Sequence, residues 1–182
     1  MSKKRGRAKT KRSVKRRGLT HTKLVEQVRN FLANKYQKDY SKRDLEVKTE
    51  VGLEKGRADI VLSAYKRGLI DHAKSAFRWW FSDKSLKEEF KERPPTPERV
   101  IICEVKTKTS SWRAGLGQVL DYKNRSVQSN WVKDKEDVDA YLAFPEEEYR
   151  NIDEETKTSL KEQKVGTIVC YKSGRVRILT KP

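Results

Sequence analysis

The sequence is poor in the residues that build metal–thiolate sites, disulfide frameworks and membrane spans. Its 182 residues include only two cysteines, so neither a Cys-based zinc site nor a four-Cys iron–sulfur cluster can form. Because Cys103 and Cys170 both lie in apolar, strand-like runs, we predict buried free thiols. No run approaches the ~20 apolar residues of a membrane span, and no apolar signal region is present. We therefore expect a cytoplasmic protein, of prokaryotic or viral origin, with no membrane partner.

Positive charge, by contrast, is abundant and unevenly placed. The chain has 43 Lys and Arg against 26 Asp and Glu, a net charge of +17, and ten of these cations lie in residues 3–17 with no acid among them. The remaining 33 basic residues against 26 acidic ones leave +7, which suits one globular domain. We predict a disordered basic arm at 1–19 that contacts phosphates, and a folded domain at 20–182. A solubilising or nuclear-targeting tail is the alternative for the arm.

Apolar periodicity predicts an α/β layered domain. A helix over 20–36, capped by Thr20, is followed by strands at 45–51 and 58–65 and by a helical insertion at 66–98. A strand at 100–106, apolar enough to be buried on both faces, leads through a loop at 110–113 to a helix at 114–127 and a strand at 138–144. A charged helix over 146–163 and strands at 167–171 and 176–179 close the chain. The order is an αβββαβ core with a C-terminal αββ extension.

Three charged residues interrupt these apolar strands. Glu104 and Lys106 alternate along one strand and so share a face, while Asp59 stands at the mouth of the preceding strand. Burying such charges costs several kcal/mol unless each has a partner. Two carboxylates on adjacent strands form the hard-oxygen site that Mg²⁺ or Mn²⁺ prefers.

This set of residues resembles the PD-(D/E)XK nuclease superfamily over residues 20–144. Asp59, then Glu104-Val105-Lys106, then a RecB-type Gln-x-x-x-Tyr helix at Gln118 and Tyr122 occur in the order of that family. Two departures are that Ala58 replaces the proline of the motif and that the insertion at 66–98 separates Asp59 widely from Glu104. The resemblance implies a restriction-endonuclease-like fold with a mixed central sheet.

The resemblance also implies roles for these residues. Asp59 and Glu104, with the main-chain carbonyl of Val105, would hold one or two Mg²⁺ or Mn²⁺ ions. Lys106 would orient or deprotonate the attacking water, and Gln118 would position Lys106 or a metal-bound water. Tyr122, one turn further on the same helical face, would pack or touch a phosphate. For a further ligand from the first helix, we prefer His21 to Glu26, because Glu26 falls nearly opposite the apolar stripe. The candidates for nucleic-acid contact are Trp112, Arg113, Tyr122, Arg57 and Lys108.

We therefore predict a metal-dependent DNA nuclease, more specifically an endonuclease that hydrolyses phosphodiester bonds. One alternative is a catalytically inactive nucleic-acid-binding protein with the same fold. Another is a structural or assembly protein that uses residues 66–98 for contacts. Because the adjacent Trp79 and Trp80 in that insertion cannot both join the apolar helical stripe, we expect one to be exposed, as a homodimer contact or as a stacking platform for nucleic acid.

Overall fold

A computed structural model of the protein describes residues 19–41, 44–53, 56–65, 96–129 and 131–182. The helices are α1 (His21–Tyr36), α2 (Trp112–Gln128), α3 (Glu146–Tyr149) and α4 (Glu154–Glu162). The strands are β1 (Leu45–Leu53), β2 (Gly56–Ala64), β3 (Arg99–Val105), β4 (Val138–Pro145), β5 (Val165–Cys170) and β6 (Val176–Thr180). Among these residues the predicted order of the core elements is confirmed.

All six strands form one mixed sheet, in the spatial order of the sequence. The β3–β4 and β4–β5 pairs are parallel, and the other three pairs are antiparallel. Helix α2 provides the crossover that a parallel β3–β4 pair requires. β3 is buried from Val100 to Val105, which confirms the prediction of a central strand covered on both faces. The C-terminal strands extend this sheet, and the fold class is α/β.

Helices cover both faces of the sheet. On one face, apolar residues of α1 pack against residues of the sheet, and we call this cluster the α1-side core. Its sheet residues include Ile60, Leu62, Ile101, Cys103, Val105, Tyr141, Ala143 and Ile168. The α2-side core consists of two clusters, one with Val51, Ala58, Val61, Val100, Ile102 and Tyr122, and one with Val119, Ala140, Leu142, Phe144 and Leu160. Glu104 lies between two α1-side residues of β3, so its side chain faces α2. Cys103 and Cys170 are buried free thiols, as predicted.

The first helix follows its sequence signals closely. Thr20 caps α1 through a hydrogen bond from the Lys23 N–H to Thr20 Oγ1 at 3.4 Å, and the apolar stripe packs on the sheet. Tyr36 ends the helix and donates its hydroxyl to Asp139 Oδ2 at 2.7 Å. Leu19 also packs against the α1-side core, although the prediction assigned it to the basic arm.

The structure corrects three predicted boundaries. A short 3₁₀ turn at Thr109–Ser111 runs directly into α2, so Trp112 and Arg113 are helical and not part of a loop. Pro145 belongs to β4, where it pairs with Cys170. The predicted helix over 146–163 is divided into α3 and α4, because Ile152 is buried between them and the Asp153 side chain caps a new helix by accepting from Thr156 N–H at 2.7 Å.

Along β1, the side of the sheet to which alternate side chains point is reversed opposite Asp59. Val47 packs against the α1-side core, whereas Val51, at the same parity of the strand, lies in the α2-side core. Glu50 between them has φ +52°, a left-handed conformation that interrupts the regular alternation. The flanking pairs Thr49–Ile60 and Val51–Ala58 place Glu50 across from Asp59. The irregular backbone of β1 therefore lies opposite Asp59, the residue of β2 at which the regular pairing with both neighbouring strands is interrupted.

Several predictions concern residues outside this description. The basic arm up to residue 18 and the insertion from 66 to 95, with Trp79 and Trp80, are not among the described residues. The disordered arm, the helical insertion and a dimer contact therefore stay predictions. Among the described helices, none is long and apolar enough to cross a lipid bilayer.

Candidate functional site

Asp59 and Glu104 come from strands that are direct neighbours. β2 and β3 pair antiparallel as far as Ile60–Cys103, and the two carboxylate residues follow at the next position on each strand. There the strands separate, and Asp59 Oδ2 accepts a hydrogen bond from the backbone N–H of Val105 at 2.7 Å. The long separation in sequence thus does not prevent the pairing of their strands.

Lys106 links Glu104 to helix α2. Its ammonium nitrogen lies 3.1 Å from Glu104 Oε2 and 2.7 Å from Gln118 Oε1, and both oxygens are acceptors. The Glu104 side chain is 2% exposed and that of Lys106 is 16% exposed. The backbone N–H of Lys106 donates to the Ala143 carbonyl at 2.8 Å, which fixes the end of β3 against β4. The predicted neighbours Glu104, Lys106 and Gln118 therefore form one hydrogen-bonded group.

The electrostatics of this group centre on Glu104. Burial, followed by the negative charge of Asp59, raises the pKa of Glu104 to about 7, although the ammonium of Lys106 opposes the shift. Its second oxygen, Oε1, is buried and has no hydrogen-bond partner among the described residues. A buried acceptor without a partner is costly, by roughly 1–3 kcal/mol. When ionised, Glu104 therefore has a buried oxygen without a partner close to the charge of Asp59.

These observations fit a divalent cation. A cation beside Glu104 Oε1 and Asp59 would satisfy the unpaired oxygen and relieve the repulsion between the two carboxylates. The described residues contain no cluster of three or more His, Cys, Asp or Glu side chains placed to hold a metal. Two carboxylates are nevertheless enough for Mg²⁺, which commonly keeps several waters and takes the remaining ligands from substrate phosphates.

His21 meets the site from the start of α1. Its Nε2 lies 3.3 Å from Asp59 Oδ2, and its side chain is 47% exposed against 15% for Asp59. The structure thus brings His21 to Asp59, and in this arrangement the ring contacts the carboxylate. Glu26, the alternative that we ranked lower, is exposed on α1.

Tyr122 stands one helical turn after Gln118, and it is buried. Burial and then the charge of Glu104 raise the pKa of the Tyr122 hydroxyl, against the opposing effects of the Arg57 backbone and the Gln118 side chain. A Cβ on Gly56 would lie 2.7 Å from this hydroxyl, so the start of β2 approaches the ring closely. Of the two roles proposed for Tyr122, the geometry supports packing between α2 and the β1–β2 hairpin.

The other predicted nucleic-acid contacts surround the site less closely. Trp112 packs against the α2-side core, and the Arg113 guanidinium lies 5.2 Å from the centre of its ring. On the face of the ring that Arg113 covers, a base could stack only by displacing Arg113. Arg57 is exposed and pairs with Glu50 at 3.2 Å, and Lys108 is exposed in the segment that follows β3.

Sequence reasoning missed three contributors to this site: Gly56, Gly115 and the Val105 N–H. A Cβ on Gly115 would lie 2.6 Å from Lys106 Cε. The available signal was spacing, because Gly115 precedes Gln118 by three residues and so shares its helical face. No comparable signal marks Gly56 or the backbone donor of Val105.

Comparisons with known proteins give a weak structural likeness. No family model matches the sequence, and no curated protein matches it. A solved structure of an XisH family protein from Nostoc punctiforme PCC 73102 is similar over 85% of this chain and 96% of its own. The identity is 14% and the TM-score 0.43. At this level of similarity no function is inferred from the likeness.

Proposed function

We propose that the protein is a divalent-metal-dependent DNA nuclease of the PD-(D/E)XK type, acting as an endonuclease on phosphodiester bonds. One observation carries the proposal: Glu104, whose Oε1 is buried without a partner among the described residues, lies beside a second carboxylate, Asp59, and bonds through Oε2 to the ammonium of Lys106. A structural ion pair between Glu104 and Lys106 alone would not explain the second carboxylate or the unpaired oxygen.

Asp59 and Glu104 are the residues that would hold the ion. It would supply positive charge for a phosphodiester transition state and increase the acidity of a water. The Val105 N–H and His21 orient the Asp59 carboxylate, while the surrounding apolar strands keep bulk water from Glu104.

Lys106 is suited to donate hydrogen bonds to the substrate. An ammonium has three N–H donors, and two of those on Lys106 are directed to Glu104 and Gln118. The third is left for a phosphate oxygen or the attacking water. This geometry favours orientation and charge stabilisation over deprotonation of the water, because two acceptors hydrogen-bonded to the nitrogen favour its protonated form.

Cleavage of supercoiled plasmid, single-stranded and branched DNA in Mg²⁺ or Mn²⁺ tests the proposal. We expect cleavage that EDTA abolishes and that falls by about 100-fold or more in Asp59→Asn, Glu104→Gln and Lys106→Ala. Asp121→Asn is the matched control, since Asp121 carries its carboxylate on the outer side of α2 and pairs with Arg125. DNA binding without cleavage, unchanged by EDTA, would instead identify an inactive binding protein.

A further inference from the structure

The Lys106 side chain passes over α2 at Gly115, a residue without a side chain, to reach Glu104 and Gln118. A Cβ on Gly115 would lie 2.6 Å from Lys106 Cε and 3.2 Å from Lys106 Cγ. Carbon atoms in favourable contact stay about 3.5–4.0 Å apart. The aliphatic part of Lys106 therefore lies against the helix backbone, in space that any other residue at 115 would fill.

A second glycine of the same helix gives a reference. Gly117 lies two residues further along α2, is exposed, and a Cβ there would meet no atom within 4 Å. Glycine is unfavourable in a helix interior, and more so than every other residue except proline. Of the two glycines, only Gly115 has a contact that explains why a side chain is absent.

We propose that Gly115 is a positioning residue, whose bare Cα seats the Lys106 side chain so that the ammonium meets Glu104 and Gln118 together. The packing of Lys106 against Gly115 follows from the contacts, and the effect of this packing on a reaction rests on the proposed nuclease function. Gly115, Gln118 and Tyr122 then form one face of α2 that serves the site.

A methyl group at 115 would displace Lys106 more readily than the helix. The closest atom, Cε, is near the end of a flexible side chain, whereas Leu142 Cδ2, at 3.1 Å, would need to yield by a few tenths of an ångström. We therefore expect Gly115→Ala to fold and to lose the two hydrogen bonds of Lys106. In Gly117→Ala nothing would move, and the melting temperature would rise by about 2–4 °C.

The experiment compares Gly115→Ala with Gly117→Ala in the full chain by two measurements. The first is the rate at which an amine-acetylating reagent modifies Lys106, followed by peptide mass spectrometry. Release of the amine should raise this rate several-fold in Gly115→Ala and leave it unchanged in Gly117→Ala. The second is plasmid cleavage, in which kcat should fall on the order of 10- to 100-fold with KM unchanged in Gly115→Ala only.

The two measurements separate the inference from the proposed function. If the wild type cleaves no DNA and Lys106 is still modified faster in Gly115→Ala, the nuclease proposal fails, but the positioning of Lys106 by Gly115 is supported. An unchanged modification rate, or an unchanged kcat in an active enzyme, contradicts the positioning role. Should Gly115→Ala fold poorly, Gly115→Ala with Leu142→Val removes the Leu142 Cδ2 contact, and the same outcomes apply.

Discussion

The Asp59 carboxylate accepts a hydrogen bond of 2.7 Å from the Val105 N–H, just beyond the last backbone pair of β2 and β3. At this position a side-chain hydrogen bond therefore replaces the backbone hydrogen bond that a continued strand pair would make. The carboxylate thereby has a structural role as well as its proposed chemical role. The same bond keeps Asp59 next to Glu104, which is the neighbour of Val105 in the chain.

Two substitutions at Asp59 separate these roles. Asp59→Asn retains an oxygen that can accept from Val105, whereas Asp59→Ala leaves that N–H without its partner. We expect Asp59→Ala to lose about 1–3 kcal/mol of unfolding free energy and Asp59→Asn clearly less. Both should lose cleavage. Urea denaturation measures the difference, and equal stability of the two variants would argue against the hydrogen bond.

The raised pKa of Glu104 predicts how stability depends on pH without metal. Its folded-state value of about 7 exceeds its ordinary value of 4.5, so the folded state favours the protonated form. This contribution is complete below the unfolded pKa and is lost as pH rises through the folded pKa. In EDTA, the unfolding free energy of the wild type should therefore fall relative to Glu104→Gln between about pH 4.5 and 7, by about 3 kcal/mol at most. Parallel pH profiles of the two proteins would contradict this.

Divalent cations should reverse that loss of stability. An ion binds the ionised carboxylates of the folded state, so at 100-fold excess over Kd near pH 8 we expect Mn²⁺ to raise the melting temperature by about 5–10 °C. The rise should be smaller near pH 5.5, where Glu104 is mostly protonated, and absent in Glu104→Gln. Asp121→Asn serves as the control that keeps the wild-type response. A shift of equal size in Glu104→Gln would place the ion elsewhere.

The basic arm should govern affinity and leave catalysis unaffected. Removing residues 1–18 deletes the ten cations of residues 3–17. Fewer phosphates would then be neutralised, so the dependence of log affinity on log salt should become shallower. Fluorescence anisotropy with a labelled duplex measures this slope, and kcat at saturating DNA should not change. An unaltered slope would favour the solubilising or targeting role.

The parts of the site that were predictable depend on local rules. Strand alternation placed Glu104 beside Lys106, and helical spacing placed Gln118 and Tyr122 on one face of α2. Apolar periodicity predicted the order of the core elements, and the structure confirms that order and the α/β class. The position of Asp59 beside Glu104 depended on treating residues 66–98 as an insertion between neighbouring strands, which no local rule decides.

Other features depend on tertiary contacts that no local pattern encodes. The left-handed Glu50, which lets the β1–β2 pair change face, is an ordinary residue in a regular alternating strand by sequence. The early start of α2 follows from packing of Trp112 on the α2-side core, which overrides the loop preference of the preceding serines. The division between α3 and α4 likewise depends on the buried Ile152.

Anomalous diffraction from crystals soaked in Mn²⁺ tests the central claim most directly. The account predicts a manganese peak within coordination distance of both Asp59 and Glu104, and no peak at that position in Glu104→Gln crystals. A wild-type structure with Mn²⁺ bound elsewhere, or with the two carboxylates turned apart and no ion between them, would contradict it.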